Sequence, residues 1–324
     1  MIKISFIIPV YNVKDYIEQC VESIACQASD EIQIVLVDDG STDCSSAMCD
    51  EIAEKYSFVN VFHQKNAGHS AARNFGLSKA TGKYVVFVDS DDFIGENCVR
   101  RIIDWIDNND EDLCFMNVFK YFSDGKKQIL DVLPERSLIK GKLGAMALKS
   151  IAACEKFPGS ACGKMFKRSF LIDNGICFPL GLLHGEDLSF MIKCYAYAKD
   201  FDYIDLEYYY YRQGREGSVT SCGDKTRIYI DLSRFVINTV NFSEGFQDRK
   251  ESLYRFAAYE YMITLSTYSL LTKEYVDEAN KFFKGYKWML KYGTSKKMRL
   301  LHILVSIFGI RITSTLMRMW LTIR

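Results

Sequence analysis

Two hydrophobic periods alternate along the first third of the chain, and that alternation restricts the fold more than any other feature. Ile4 to Val10 is a continuous apolar run, the pattern of a strand buried on both faces. Val13, Tyr16, Ile17, Cys20, Val21 and Ile24 then recur at helical spacing, marking one face of an amphipathic helix. Ile32 to Val37 predicts a second strand, followed by a helix around Met48, Cys49, Ile52 and Ala53. Val59 to His63 predicts a third strand, Ala71 to Lys79 a helix, and Tyr84 to Val88 a fourth strand. Val99, Ile102, Ile103 and Ile106 mark a helix ahead of a strand from Leu113 to Val118. Strands that alternate with helices are joined by crossovers, and crossovers build a mostly parallel sheet. The fold class is α/β.

Beyond Val118 the pattern loosens. The segment 158–179, PGSACGKMFKRSFLIDNGICFP, reads as loop, short helix and loop. A helix begins just after Gly185, Tyr203 to Tyr211 is strand-like and aromatic, and from residue 225 onward the chain reads helical. Across 324 residues, 48% hydrophobic and 25% charged composition fits a globular protein and excludes a disordered chain or a small disulfide scaffold. Eleven cysteines with no CxxC pair argue for scattered reduced thiols in a cytosolic compartment. MIKISFIIPVYN lacks the apolar core and cleavage site of a signal peptide.

The polar residues gather where strands end. Pro9 cannot donate to a ladder, so the first strand is expected to leave the sheet there through Val10, Tyr11 and Asn12. The second strand runs into Asp38, Asp39, Gly40, Ser41, Thr42 and Asp43, and the fourth into Asp89, Ser90, Asp91 and Asp92. In a doubly wound sheet the carboxyl ends of the strands share one edge, where ligands bind. Either cluster alone also fits a turn ahead of a helix N-cap; two at successive strand ends favour one acidic mouth holding a divalent cation. Carboxylate-only ligation suits Mg²⁺ or Mn²⁺, which share their shell with water and substrate phosphates. GxGxxG and GxxxxGK[ST] are both missing, which disfavours a dinucleotide or P-loop site. Between the clusters, NAGHSAARNFG (66–76) sets Arg73 about one turn into a helix, suited to phosphate oxygens or to a surface ion pair.

IIPVYN, VDDGSTD, NAGHSAARN and DSDD, in this order and spacing, resemble the family 2 glycosyltransferases of the GT-A fold. The resemblance continues through KMFKRSFL, NGICFP and the GED triplet at 185–187 to YYYYRQGREGSVT. It is to the bacterial branch that builds capsule, exopolysaccharide or lipopolysaccharide. A Rossmann-like sheet flanked by helices is implied, with a GT-A domain over 1–220 (donor half 1–118, acceptor half 119–220) and a helical region over 221–324. The resemblance further implies an inverting transfer from a UDP-sugar to a lipid-linked saccharide acceptor. Pro9, Tyr11, Asp38 and Asp39 would meet the nucleotide, with Tyr11 on the uracil and Asp39 at its N3–H. Arg73, Asp89, Ser90 and Arg212 would lie at the diphosphate, joined by Arg215 and Ser218. Asp91, helped by Asp89 or Asp92, would hold Mn²⁺ or Mg²⁺. Asp187 would be the general base, with Glu186 the second choice. His184 departs from the aromatic residue common before this acidic pair. QxxRW, the mark of processive synthases, is absent, so a single addition is implied. Two other readings stay open: a nucleotidyltransferase making nucleotide-sugars, and an inactive membrane-bound scaffold.

The charge is zero overall but uneven. Ala279 to Arg324 holds ten Lys or Arg and no Asp or Glu, so residues 1–278 carry a formal charge of 0 − 10 = −10. No nucleic-acid-binding motif accompanies the basic segment. It reads as an amphipathic tail on the anionic inner leaflet, placing the protein in the cytoplasm on the inner face of the membrane. A core-packing helix pair with a solvated basic face is the other reading. The longest strongly apolar stretch, Leu300 to Ile310, is expected to be too short to span a bilayer.

Overall fold

A computed structural model describes residues 1–130, 133–154, 158–214 and 224–322 of the protein. Strands β1 (Ile4–Val10), β2 (Ile32–Asp38), β3 (Val59–His63) and β4 (Tyr84–Phe87) alternate with helices α1 (Ile17–Ala25), α2 (Ser45–Lys55) and α3 (His69–Lys79). These strands lie side by side in the order β3-β2-β1-β4, and every pair is parallel. The expected crossovers are all present. Successive side chains point to opposite faces: Ile4, Phe6 and Ile8 join one core with Cys20, Val21 and Ile102, whereas Ile7 joins the other with Phe87 and Phe190.

The second half of the sheet mixes directions. After β5 (Phe93–Ile94) and α4 (Cys98–Asn108) come β6 (Leu113–Tyr121), β7 (Lys127–Ile129), α5 (Gly144–Ile151), β8 (Lys164–Lys167), α6 (Arg168–Asp173), α7 (Glu186–Tyr197) and β9 (Phe201–Arg212). The full order is β3-β2-β1-β4-β8-β6-β9-β5, with β7 on β6. β8 runs antiparallel to both β4 and β6, and β6–β9 is parallel again. β8 lay hidden in the segment expected to be loop, because KMFK starts and ends on lysine. Lys164 is nevertheless 1% exposed; its ammonium donates to the carbonyls of Ser160 (2.6 Å) and Cys162 (3.3 Å), which makes burial tolerable.

Helices α8 (Lys225–Ser243), α9 (Lys250–Thr267), α10 (Lys273–Tyr286) and α11 (Lys296–Thr322) complete the fold. Most of their apolar surface joins the core of the sheet: Tyr229, Phe256, Phe283 and Val305 belong to the same buried cluster as Ile7 and Phe87, while Val240, Tyr254, Ala257, Ala258, Met289 and Met298 form a small cluster of their own. α11 runs well beyond the apolar stretch from Leu300 to Ile310. The helix from Lys296 to Arg318 has the length and apolar composition to cross a bilayer, with a mean hydropathy of 1.7. It is broken at Gly309, whose φ of 76° and ψ of 176° are non-helical. Each leg is therefore shorter than a membrane span needs.

Candidate active site

β1 is the switch point of the sheet, with α-crossovers leading away to either side. Its pairing to β4 ends at Ile7 and Phe87, while its pairing to β2 continues through Pro9 and Val37 to Val10 and Asp38. The strand ends at Val10, one residue past Pro9. Pro9 lies past the end of the β4 pairing, where its missing N–H costs nothing. Beyond this fork a cavity of about 690 Å³ opens.

The wall on the β2 side is built by backbone turns. Gly40 has a φ of +73°, and a Cβ there would lie 2.8 Å from the Asn66 nitrogen, so only glycine lets the two turns touch. That contact delivers Asp39 to the 66–68 turn. Its Oδ1 accepts from Gln64 Nε2 (2.6 Å) and Ala67 N (2.8 Å), and its Oδ2 from Gly68 N (2.8 Å). A carboxylate has about four acceptor sites, so one direction is left for a ligand. Pro9, half-exposed Tyr11 and Asp39 all line the cavity. Asp38 does not. Adjacent strand residues face opposite ways, and Asp38 turns back to accept from Ser41 N (3.0 Å) and to meet His63 Nδ1 (3.0 Å).

The opposite wall centres on Arg73, five residues into α3 and only 4% exposed. Its Nη2 donates to Asp89 Oδ1 (2.6 Å) and its Nη1 to Asp187 Oδ1 (2.8 Å), and its guanidinium lies 5.1 Å from the Phe178 ring centre. One buried cation thereby ties the end of β4 to the start of α7. Burial opposes its charge, but Asp187 and Asp89 together hold its pKa well above the ordinary value. Burial pushes the Asp89 carboxyl up as well, and Arg73 more than offsets it, so its pKa falls. For Asp187 the balance goes the other way: burial and neighbouring Glu186 outweigh Arg73, and its pKa rises. Asp187 Oδ2 accepts from the Ser160 hydroxyl (3.0 Å) and Ala161 N (3.1 Å). Glu186 faces His69 Nε2 at 3.0 Å, and this contact raises the imidazole pKa.

Asp89, Ser90, Asp91 and Asp92 line the same cavity as Glu186 and Asp187. Two expected ligands, Asp92 and Arg212, are held by other protein groups. Asp92 is 1% exposed and accepts from the Tyr209 hydroxyl (2.7 Å) and Arg212 N (2.8 Å), so its carboxylate is turned into the protein to hold β9. Arg212 acts as a strut. Its Nε donates to the Asp91 carbonyl (2.8 Å) and its Nη2 to Gln19 Oε1 (2.8 Å), between the rings of Tyr16 and Phe93. Arg215 and Ser218 lie outside the described residues.

Among the described residues no three His, Cys, Asp or Glu side chains converge as a ready metal cage. The donor set still suits Mg²⁺ or Mn²⁺, which bind through one or two carboxylates and complete their shell with water and phosphate oxygens. Asp91, with the Asp89 oxygen that Arg73 leaves free, supplies that number. Sequence reasoning missed Ser160, Ala161 and Tyr209. Ser160 and Ala161 sit in a stretch without periodicity or motif, Tyr209 sits in the YYYYR segment without any sign of its partner, and each acts through a residue 26 or more positions away. His69 was legible as part of NAGHSAARN but not as the partner of Glu186.

The model of glycosyl transferase family 2 matches residues 5–174. Glycosyltransferase GlyA of Streptococcus pneumoniae is 34% identical over 227 residues, 67% of this chain and 31% of that protein. Putative glycosyltransferase EpsH of Bacillus subtilis is 31% identical over 218 residues, 64% of this chain and 60% of that protein. The chain therefore spans about a third to three fifths of the length of these relatives. The crystal structure of Staphylococcus aureus TarS 1–349 in complex with UDP-GlcNAc aligns with a TM-score of 0.71 at 23% identity, covering 97% of this chain and 90% of that one. The likeness is one of fold.

Proposed function

Because the chain belongs to glycosyl transferase family 2, we propose that it transfers a hexose or N-acetylhexosamine from a UDP-sugar to a lipid-linked saccharide, one residue at a time and with inversion. The observation that carries this reading is the Arg73 bridge, which sets Asp187 and the acidic turn at 89–91 around one cavity. Residues 1–220 form the catalytic part, and 221–324 buttress it from the helical side. The cytoplasmic face of the membrane is the working location, supported by the basic C-terminal segment.

Tyr11 offers its ring to the uracil, and Asp39 has one acceptor direction left for the base N3–H. Asp91 and Asp89 would hold the divalent ion, whose contribution is to neutralise charge on the departing diphosphate. Asp187 is raised in basicity by burial yet kept oriented by Ser160, Ala161 and Arg73. It takes the proton from the acceptor hydroxyl as that oxygen bonds to the anomeric carbon. The bond from that carbon to the diphosphate oxygen breaks, and UDP departs with the electron pair. One displacement converts an α-linked donor into a β-glycoside. General base catalysis of this kind is worth about 10²–10⁴-fold.

The test is UDP release from UDP-Glc, UDP-Gal, UDP-GlcNAc and UDP-GalNAc, with Mn²⁺ and with chelator. Release from one donor that depends on Mn²⁺ and is lost in Asp91→Ala is the expected result. Pyrophosphate as the product would instead indicate a nucleotidyltransferase, and no turnover with any donor an inactive scaffold.

A further inference from the structure

α11 is packed on one side and apolar on both. Met298, Leu301 and Val305 are buried, and the helix lies against α9. In the second leg Thr313 and Ser314 turn inward, and the Ser314 hydroxyl accepts from Ser269 N (3.0 Å). The helix is thus held to the protein on both sides of the Gly309 break. The other face carries Leu300, Ile303 and Ile307, spaced i, i+3, i+7, followed by Phe308, Ile312 and Leu316. These six side chains are 43–67% exposed. A row of large apolar residues on this scale is not how a solvated surface is built.

The charges beside that row indicate what covers it. Lys296, Arg299 and Arg311 are exposed along the helix, and no acidic residue occurs anywhere from Ala279 to the end of the chain. A second copy packed on this face in two-fold fashion would bring the same cations against each other. An anionic bilayer meets both needs, apolar for the row and negative for the flanks. Spanning is disfavoured, since a broken helix exposes unpaired backbone groups to hydrocarbon and the inner face is already packed.

We infer that the exposed face of α11 is a membrane-docking surface that lies in the plane of an anionic leaflet, the aliphatic row sunk into the headgroup boundary. This deepens the membrane-side reading above and rests on it for the location of the acceptor. Vesicle flotation tests it without turnover, so the two readings fail separately. The full chain should float with phosphatidylcholine vesicles containing phosphatidylglycerol, about tenfold better than with phosphatidylcholine alone, and alkaline carbonate should strip it. Ile307→Glu with Phe308→Glu should weaken flotation by about tenfold or more, leaving thermal unfolding and UDP release unchanged. Lys296→Glu with Arg299→Glu should erase the preference for phosphatidylglycerol. Wild-type protein that does not float, or that resists carbonate, overturns the inference. So does a dimer, seen by light scattering, that the Ile307/Phe308 variant dissociates.

Discussion

Ser160→Ala isolates the environment of Asp187 with one atom. The hydroxyl donates to Asp187 Oδ2 at 3.0 Å and accepts from Cys162 N at 3.1 Å. A hydrogen bond to a charged group is worth about 1.5–3 kcal/mol. The Asp187 side chain is 22% exposed, so solvent discounts this to about 1–1.5 kcal/mol. The bond favours the ionised carboxylate; losing it raises a pKa that burial has already raised. The shift is upward. A base works only when deprotonated, so turnover is lost as pH falls through that pKa. In Ser160→Ala the acid limb of kcat should move to higher pH, which lowers turnover on that limb by about 5- to 12-fold, with the plateau above it within about threefold of wild type. The freed Cys162 N–H costs about 1 kcal/mol of stability, which thermal unfolding would register separately. The assay is initial UDP release across the acid limb, with UDP affinity as control. A limb that stays in place while the plateau falls, or one that moves to lower pH, would refute the assignment of Asp187 as the base.

Asp187→Asn should keep UDP affinity and lower turnover by about 10²–10⁴-fold; turnover near wild type would move the base to Glu186. Asp92→Ala should cost about 2–3 kcal/mol of stability through the stranded Tyr209 hydroxyl and Arg212 N–H, with Mn²⁺-dependent UDP affinity little changed. Weakened UDP affinity in a protein of unchanged stability would return Asp92 to the metal. Glu260, buried on α9, has its carboxyl pushed up from 4.5 to about 8 by desolvation. The folded state then binds the proton more tightly than the unfolded chain, so stability present at acid pH is lost as pH rises through this window. Glu260→Gln should gain on wild type by about 1 kcal/mol or more between the two ends of it. A difference in unfolding midpoint that does not vary with pH would show that Glu260 does not titrate there.

The parallel half of the sheet was legible because its signals are local. Ile4–Val10 and Ile32–Asp38 are buried on both faces, and such strands write themselves as unbroken apolar runs. β8 wrote no such signal, since its buried Lys164 is made tolerable by carbonyls of the preceding loop that no spacing rule anticipates. The same limit separates the acidic residues. DDG and DSDD identify the carboxylates but not their directions. Period-two alternation alone forbids Asp38 and Asp39 from sharing one wall, a constraint available in the sequence and outweighed there by the motif. For Asp92 and Arg212 no such constraint existed, because their partners lie 117 to 193 positions away.

Arg73 shows why a motif read as ligand contacts understates what it does. A guanidinium free to meet phosphate would be expected to be exposed. This one is buried with two carboxylates and has spent both terminal nitrogens on them. Its charge is needed before any substrate arrives, because Asp89 and Asp187 would otherwise share one cavity as uncompensated anions. An added divalent ion then bears on the same balance. A cation on the Asp89 carboxylate would compete with Arg73 for it and alter how strongly Arg73 holds Asp187. On the proposed assignment, donor binding and base strength would be coupled through a single side chain. Arg73→Lys, which keeps the charge but cannot span both carboxylates with fixed geometry, should therefore uncouple the acid limb of turnover from Mn²⁺ concentration, whereas in wild type the limb should move with it.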